Sequence, residues 1–156
     1  MLIEEKNKAY MKLALEEAKK AYKIDEVPVG AIIVYKDEVI ASGYNQREIK
    51  NNSLAHAEIL AINQACIYLN SWRLIDCEMY VTLEPCPMCA GAIINSRISK
   101  LIYSTQDLKS GSVHSILNMF DLPFNHKPEV ISNVLADESS ELLKDFFKKL
   151  RMKNKI

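Results

Sequence analysis

The chain has 156 residues, 49% of them hydrophobic, with 20 Lys and Arg against 20 Asp and Glu. That length fits one domain, 1–156, with enough apolar content for a core, and a formal net charge of zero argues neither for nor against a nucleic-acid partner. No apolar run approaches the ~20 residues of a membrane span, the first six residues turn charged too early for a signal peptide, and four cysteines do not make a disulfide scaffold here. A cytoplasmic protein without a membrane partner is therefore expected.

In chain order, residues 5–23 read as an amphipathic helix, with Ala9, Leu13, Ala14, Ala18 and Ala21 at three-and-four spacing. Its small residues suggest close packing on a sheet. Residues 27–35 are β-rich, and Lys36-Asp37-Glu38 turns them into a second strand over 39–44, a hairpin. A polar loop, 45–53, precedes helical periodicity over 54–69. A third strand, 78–83, runs straight into Pro85-Cys86-Pro87-Met88-Cys89, and a helix continues over 90–96. A fourth strand spans 100–104, a loop with a short helix 110–120, a weak fifth strand 129–133, and a last helix 137–151. This alternation predicts a three-layer α/β/α domain.

Two short stretches organise the chain: His56-Ala57-Glu58, and Cys86 with Cys89 thirty positions on. One imidazole and two thiols form the ligand set Zn²⁺ takes when its fourth tetrahedral position is left to water. Cys86 and Cys89 are three apart, so both sulfurs can face one ion from a helical first turn, where the helix N-terminus favours thiolate. His56 and Glu58 are two apart and would diverge on a regular helix, so they belong at a helix start. Asn51, Asn52 and Ser53 are the expected capping residues there, and Pro85 or Pro87 suits the first turn of the other helix. A Cys-x-x-Cys alone is weak, since redox dithiols and structural zinc share it. Cys66, Cys77, His114 and His126 show no ligand spacing for a fourth protein donor, and Cys66 and Cys77 read as free core thiols.

Zinc with three protein ligands lowers the pKa of bound water from ~15.7 toward ~7, making hydroxide available at neutral pH. Glu58 is not needed as a ligand, so its carboxylate is free to take the water's proton and return it to substrate. The neutral His and two thiolates cancel the ion's charge, which suits attack on a neutral amidine carbon. Hydrolytic loss of ammonia from an aminated ring is the matching reaction. The lysines and arginine from 144 onward, Lys144, Lys148, Lys149, Arg151, Lys153 and Lys155 against Asp145 alone, form a local basic end of the kind phosphates select.

The His-x-Glu and Pro-Cys-x-x-Cys pair is the signature of the zinc nucleobase deaminases. Beyond it, the chain resembles the bacterial tRNA-specific adenosine deaminases over nearly its whole length. The matching pieces are residues 26–31, Asn45 with Arg47, 55–58, 71–74, 82–92, Asp107 with Lys109 and Gly111, 124–126, and 145–147 near the basic end. The resemblance implies a cytidine deaminase-like α/β/α fold with a five-stranded mixed sheet. It implies one zinc per subunit on His56, Cys86 and Cys89, and hydroxide attack on C6 of the wobble adenosine of a tRNA anticodon stem-loop, with proton shuttling by Glu58. It also implies a homodimer and substrate contacts at Val29, Asn45, Ala57, Asp107, Lys109, Asn125, His126, Phe146, Phe147 and Arg151. Asn45 would face the purine edge, and Asp107 would accept a ribose 2′-OH. Two departures fall near the Asp107 loop: Tyr103-Ser104-Thr105 replaces the usual Tyr-Gly-Ala, and His114 stands where a small residue is commoner. A free-base or nucleotide deaminase and a non-catalytic RNA-binding subunit with structural zinc are the competing readings; Glu58 argues against the second, and Asp107 with the lysine-rich end against the first.

Overall fold

The computed structural model describes residues 2–154, so Met1 and Lys155 of the basic end lie outside the described residues. The alanine stripe of the first helix, α1 (Ile3–Lys23), does what its small side chains predict: Ala14, Ala18 and Ala21 are fully buried. They bring the helix backbone close to β1 (Gly30–Tyr35), which forms the expected antiparallel hairpin with β2 (Glu38–Tyr44). Helix α2 (Ala57–Leu69) leads to β3 (Cys77–Leu83), α3 (Pro87–Asn95), β4 (Lys100–Thr105), β5 (Glu129–Ile131) and α4 (Ala136–Lys153).

The five strands form one mixed sheet in the order β2-β1-β3-β4-β5. The β1 pairs are antiparallel, while β3–β4 and β4–β5 are parallel. Side chains alternate across it, as strand geometry requires. Ile32, Val34, Tyr80 and Ile102 pack with Met11 and Ala14 of α1. Ala31, Ile33, Met79, Val81, Leu101 and Tyr103 point to the opposite face, into the core shared with Ala61, Ile62, Ala65 and Ile93 of α2 and α3. Ser139 of α4 donates from its hydroxyl to that of Ser104, on the α1 face. Helices thus cover both faces, giving the three layers. Each buried Ile, Met or Leu of the central strands contributes about 1.5–3 kcal/mol of apolar burial.

Several boundaries differ from the sequence expectation, each for a local reason. Helix α2 starts at Ala57 rather than Leu54, because the Leu54 N–H goes to Asn52 Oδ1 and the Ala55 carbonyl accepts from the Gln46 N–H. Asn51, Asn52 and Ser53 do not cap it; His56 is the N-cap residue, with no side-chain capping bond. Helix α3 starts at Pro87, one of the two prolines expected in its first turn, since proline's fixed φ suits a first helical position, and it ends one residue early, at Asn95. Within 110–120 only Met119 and Phe120 belong to a helical turn, the short 3-10 segment Met119–Asp121. The weak fifth strand is shorter by two residues. At Gly43 of β2 any Cβ would lie 2.5 Å from the Ala57 carbonyl oxygen, so the first turn of α2 rests directly on the sheet. That contact sets the height at which His56 and Glu58 stand.

Candidate active site

The chain leaves β3 at Leu83 and enters α3 at Pro87 after three intervening residues, so the Cys motif lies off the carboxyl end of a strand whose neighbour β4 is parallel. Ligand sites in open α/β sheets form at that edge. Cys86 is the N-cap residue of α3, and Cys89 sits in its first turn. Opposite them, His56 is the N-cap residue of α2, and Glu58 sits in the first turn. Two helix starts therefore face each other.

His56 Nδ1 lies 3.7 Å from Cys86 Sγ and 3.6 Å from Cys89 Sγ. A tetrahedral zinc with Zn–S ~2.3 Å and Zn–N ~2.0–2.1 Å separates adjacent N and S ligands by about 3.6 Å. The donor set and its spacing fit the ion. All three ligand atoms lie within 4.8 Å of one another. Cys86 is held down to about 4, as thiolate, by the Cys89 thiol that hydrogen-bonds to it, by His56 and by the Cys89 backbone N–H. The same shared proton, with burial, raises the Cys89 thiol. His56 is raised by its bond to Cys86.

Glu58 is 4% exposed. Burial, with the charge of Cys86, pushes its carboxyl up to about 7, where it can both take and give a proton near neutrality.

Glu58, His56 and Cys86 line one cleft of about 160 Å³ together with Val27, Val29, Asn45, Arg47, Ala57, Leu83, Glu84, Asp107 and Ser110. Of the residues expected at the site, the cleft unites His56, Glu58, Cys86, Val29, Asn45, Ala57 and Asp107, and Cys89 is buried behind it. Asn45 is 7% exposed; its Nδ2 donates to the Val27 carbonyl and its Oδ1 accepts the Arg47 N–H. Each half of the amide has one partner, which leaves one hydrogen and one lone pair. Asn45 is thus both a turn former and a polar wall of the cleft. Asp107 is engaged in its own turn: Oδ1 accepts the Lys109 and Ser110 N–H groups, and Oδ2 the Ser110 hydroxyl.

Other expected contacts lie elsewhere in the subunit. Lys109 is exposed beside the cleft without lining it. His126 Nε2 donates to the Ile98 carbonyl, two residues before β4, so it and Asn125 sit at the far end of a strand ~17 Å long from the cleft. Phe146 is 7% exposed and packs edge-on against Tyr22, whereas Phe147 is 39% exposed. Phe147 packs edge-on against Phe146 but keeps an outer surface open to solvent, as a single helix face demands. Arg151 is exposed on the same helix. A second groove there, lined by Tyr22, Lys23, Asp25, Phe146, Lys149, Leu150 and Lys153, joins the basic end to the end of α1. Lys149 and Lys153 are paired with Asp145 and Asp25, so the basic end is less bare than its sequence.

Two buried acids escaped the sequence reading. Glu26, 1% exposed, accepts the Glu48 and Ile49 N–H groups and fixes the loop after Asn45. Glu84, 2% exposed, does the same for the loop after β4. Burial alone would raise its carboxyl, but N–H groups of His114, Ser115 and Asp107 and the Ser115 hydroxyl hold it below the usual carboxylate range. No spacing rule finds such residues; both fell inside stretches that carry the family resemblance, 26–31 and 82–92, with no role assigned to either.

A three-layer α/β/α fold with His, Glu and two Cys converging off the central strands defines a hydrolytic deaminase. The model of the MafB19-like deaminases matches residues 5–151. The chain is 48% identical over 147 residues to the tRNA-specific adenosine deaminase of Bacillus subtilis (strain 168), covering 94% of this chain and 91% of that protein. A structure from a study of A-to-I editing by tRNA:A34 deaminases superposes with a TM-score of 0.84 at 45% identity, over 86% of this chain and 98% of that one. A guanine deaminase from Nitrosomonas europaea follows at a TM-score of 0.74 and 26% identity, over 89% of this chain and 83% of that one. The chain belongs to the family of tRNA-specific adenosine deaminases.

Proposed function

We propose that the chain, as one deaminase domain spanning 1–156, converts adenosine to inosine at the wobble position of a tRNA anticodon. The observation that carries this reading is the single cleft in which the Glu58 carboxylate, the His56–Cys86–Cys89 donor set and the Asn45 amide converge. One zinc ion per subunit, held by those three donors, supplies when bound the Lewis acid that makes water nucleophilic at neutral pH.

The chain's own residues do the rest. Glu58 takes one proton from the attacking water and delivers it to the ring nitrogen beside C6, then takes the proton left on the new C6 hydroxyl and passes it to the departing amine. The C6–N bond breaks, ammonia leaves and C6 keeps the water oxygen as a carbonyl, so the overall change is adenine plus water to hypoxanthine plus ammonia. Val29 and Ala57 wall the base, and the spare hydrogen and lone pair of Asn45 hold its edge. Asp107 stands at the mouth, where a carboxylate can accept a ribose 2′-OH. An anticodon base is already unpaired, so extruding it costs little.

The exposed Phe147 and Arg151, the α4 groove with Phe146, Lys109, and Asn125 with His126 are assigned to flanking nucleotides. Because Asn125 and His126 lie at the opposite end of β4, they would reach RNA bound in the partner's cleft of a homodimer. The proposed setting is the cytoplasm; among the described residues no helix is long and apolar enough to cross a membrane. Sequencing of total tRNA incubated with the zinc-loaded protein tests the proposal: adenosine-to-inosine conversion at the wobble position is expected, and unchanged adenosine there overturns it.

A further inference from the structure

The segment between β4 and the 3-10 turn, residues 106–118, carries Asp107 and Ser110 into the cleft wall yet contains no helix or strand. Such a segment needs something to hold it. Five of its hydrogen bonds go to one carboxylate outside the segment. Glu84 Oε2 accepts three consecutive backbone N–H groups, from Val113 at 3.1 Å, His114 at 2.8 Å and Ser115 at 3.0 Å. Oε1 accepts the Asp107 N–H at 3.1 Å and the Ser115 hydroxyl. Three successive N–H groups aimed at one point make an anion-binding nest, and here the anion is built into the chain.

The fit is tight. A Cβ added at Gly111 would lie 2.5 Å from the Glu84 carboxyl carbon and 2.4 Å from the Asp107 carbonyl oxygen, so only glycine lets the segment wrap the carboxylate this closely. The Glu84 N–H donates to the Thr105 carbonyl at 2.9 Å, and the Ser112 N–H to the Pro85 carbonyl at 2.9 Å, which ties the segment to the same strand end that leads to Cys86. That side chain, together with these two backbone bonds, fixes the distance between the metal-ligating turn and the wall bearing Asp107.

We infer that Glu84 is the positioning residue of the substrate-binding segment: it acts on RNA binding through residues 107–115 and takes no part in the proton transfers. The inference rests on the function proposed above. An amide cannot replace the carboxylate, because a glutamine has one accepting oxygen where five donors need two. If the carbonyl serves the 113–115 nest, the NH₂ group faces the Asp107 N–H, donor against donor.

The test is Glu84→Gln, with Ser115→Ala as a milder variant that removes one donor. For Glu84→Gln, zinc content stays at one per chain, KM for an anticodon stem-loop rises about 10-fold and kcat stays within about 3-fold, as expected when binding is lost without chemistry. Amide hydrogen exchange of residues 107–115 accelerates while that of β1 does not, and Ser115→Ala moves KM and exchange in the same direction by less. Unchanged KM, a loss confined to kcat, or exchange at wild-type rates overturns the inference; should Glu84→Gln fail to fold, wild-type KM and exchange in Ser115→Ala overturn it. If the wild-type protein leaves the stem-loop unchanged, the proposed substrate is wrong, and the exchange measurement alone then decides whether Glu84 anchors the segment.

Discussion

Cys89 Sγ and His56 Nδ1 stand 3.6 Å apart although 33 residues of chain separate them and they sit on different helices. Only the sheet brings them together, because α2 is seated on β2 at Gly43 and α3 follows β3.

Replacing either ligand tests that relationship. Cys89→Ser should weaken zinc binding by more than the roughly 10–100-fold typical of losing a partner of a ligand. Thermal stability should fall with it, since metal binding and folding are coupled. Metal content by elemental analysis reads the first and a melting curve the second. A serine variant retaining one tightly held zinc per chain would contradict the ligand assignment.

Phe146 and Phe147 should separate stability from RNA binding. Phe146, buried against Tyr22, should cost about 3–5 kcal/mol as Phe146→Ala. Phe147→Ala, at an exposed site, should cost under about 1 kcal/mol yet raise KM for the stem-loop about 3–10-fold by removing a stacking surface. Urea unfolding and steady-state kinetics read the two, and equal effects on stability would refute the division.

Cys77 is fully buried at the start of β3, and burial pushes its thiol up to about 11. Above pH ~9 the unfolded chain ionises this thiol while the folded chain keeps its proton, so the unfolded state binds fewer protons and stability falls as pH rises. Two pKa units correspond to about 3 kcal/mol, lost between pH ~9 and ~11. Urea unfolding of wild type and Cys77→Ala across that range should show the steeper loss in wild type, the buried tyrosines being common to both. Parallel slopes would contradict it.

The order of elements and the chemical centre were legible because both are written in short-range pattern. β-rich runs located the strands, the two-residue spacing of His56–Glu58 required a helix start and the three-residue spacing of Cys86–Cys89 suited one, which is where they stand. Capping was misread at Asn51, Asn52 and Ser53, because those polar side chains had turn bonds available that propensity does not rank: Asn52 serves the Leu54 N–H instead. Glu26 and Glu84 were invisible for a different reason. Their partners are backbone N–H groups more than twenty residues away, and backbone donors leave no mark in sequence. His114 stood out only as a departure; the structure gives it a partner, the Tyr103 hydroxyl at 2.6 Å from Nδ1.

That pair is specific enough to test. Tyr103→Phe removes the hydroxyl without opening a cavity and should cost about 0.5–1.5 kcal/mol, the worth of one hydrogen bond. Denaturant melts of Tyr103→Phe and His114→Ala, alone and combined, would give the coupling energy. A value near zero would mean that His114 is an idle surface residue.

Glu58 carries the central claim, and one measurement reaches it most directly: mass spectrometry of an anticodon stem-loop with adenosine at the wobble position, after incubation with zinc-loaded wild type and with zinc-loaded Glu58→Ala. Inosine should form with wild type and fall by about 10²–10⁴-fold with the variant, the range for a lost general acid and base, at equal metal content. Inosine at wild-type rates from Glu58→Ala, or none from wild type, would contradict the account.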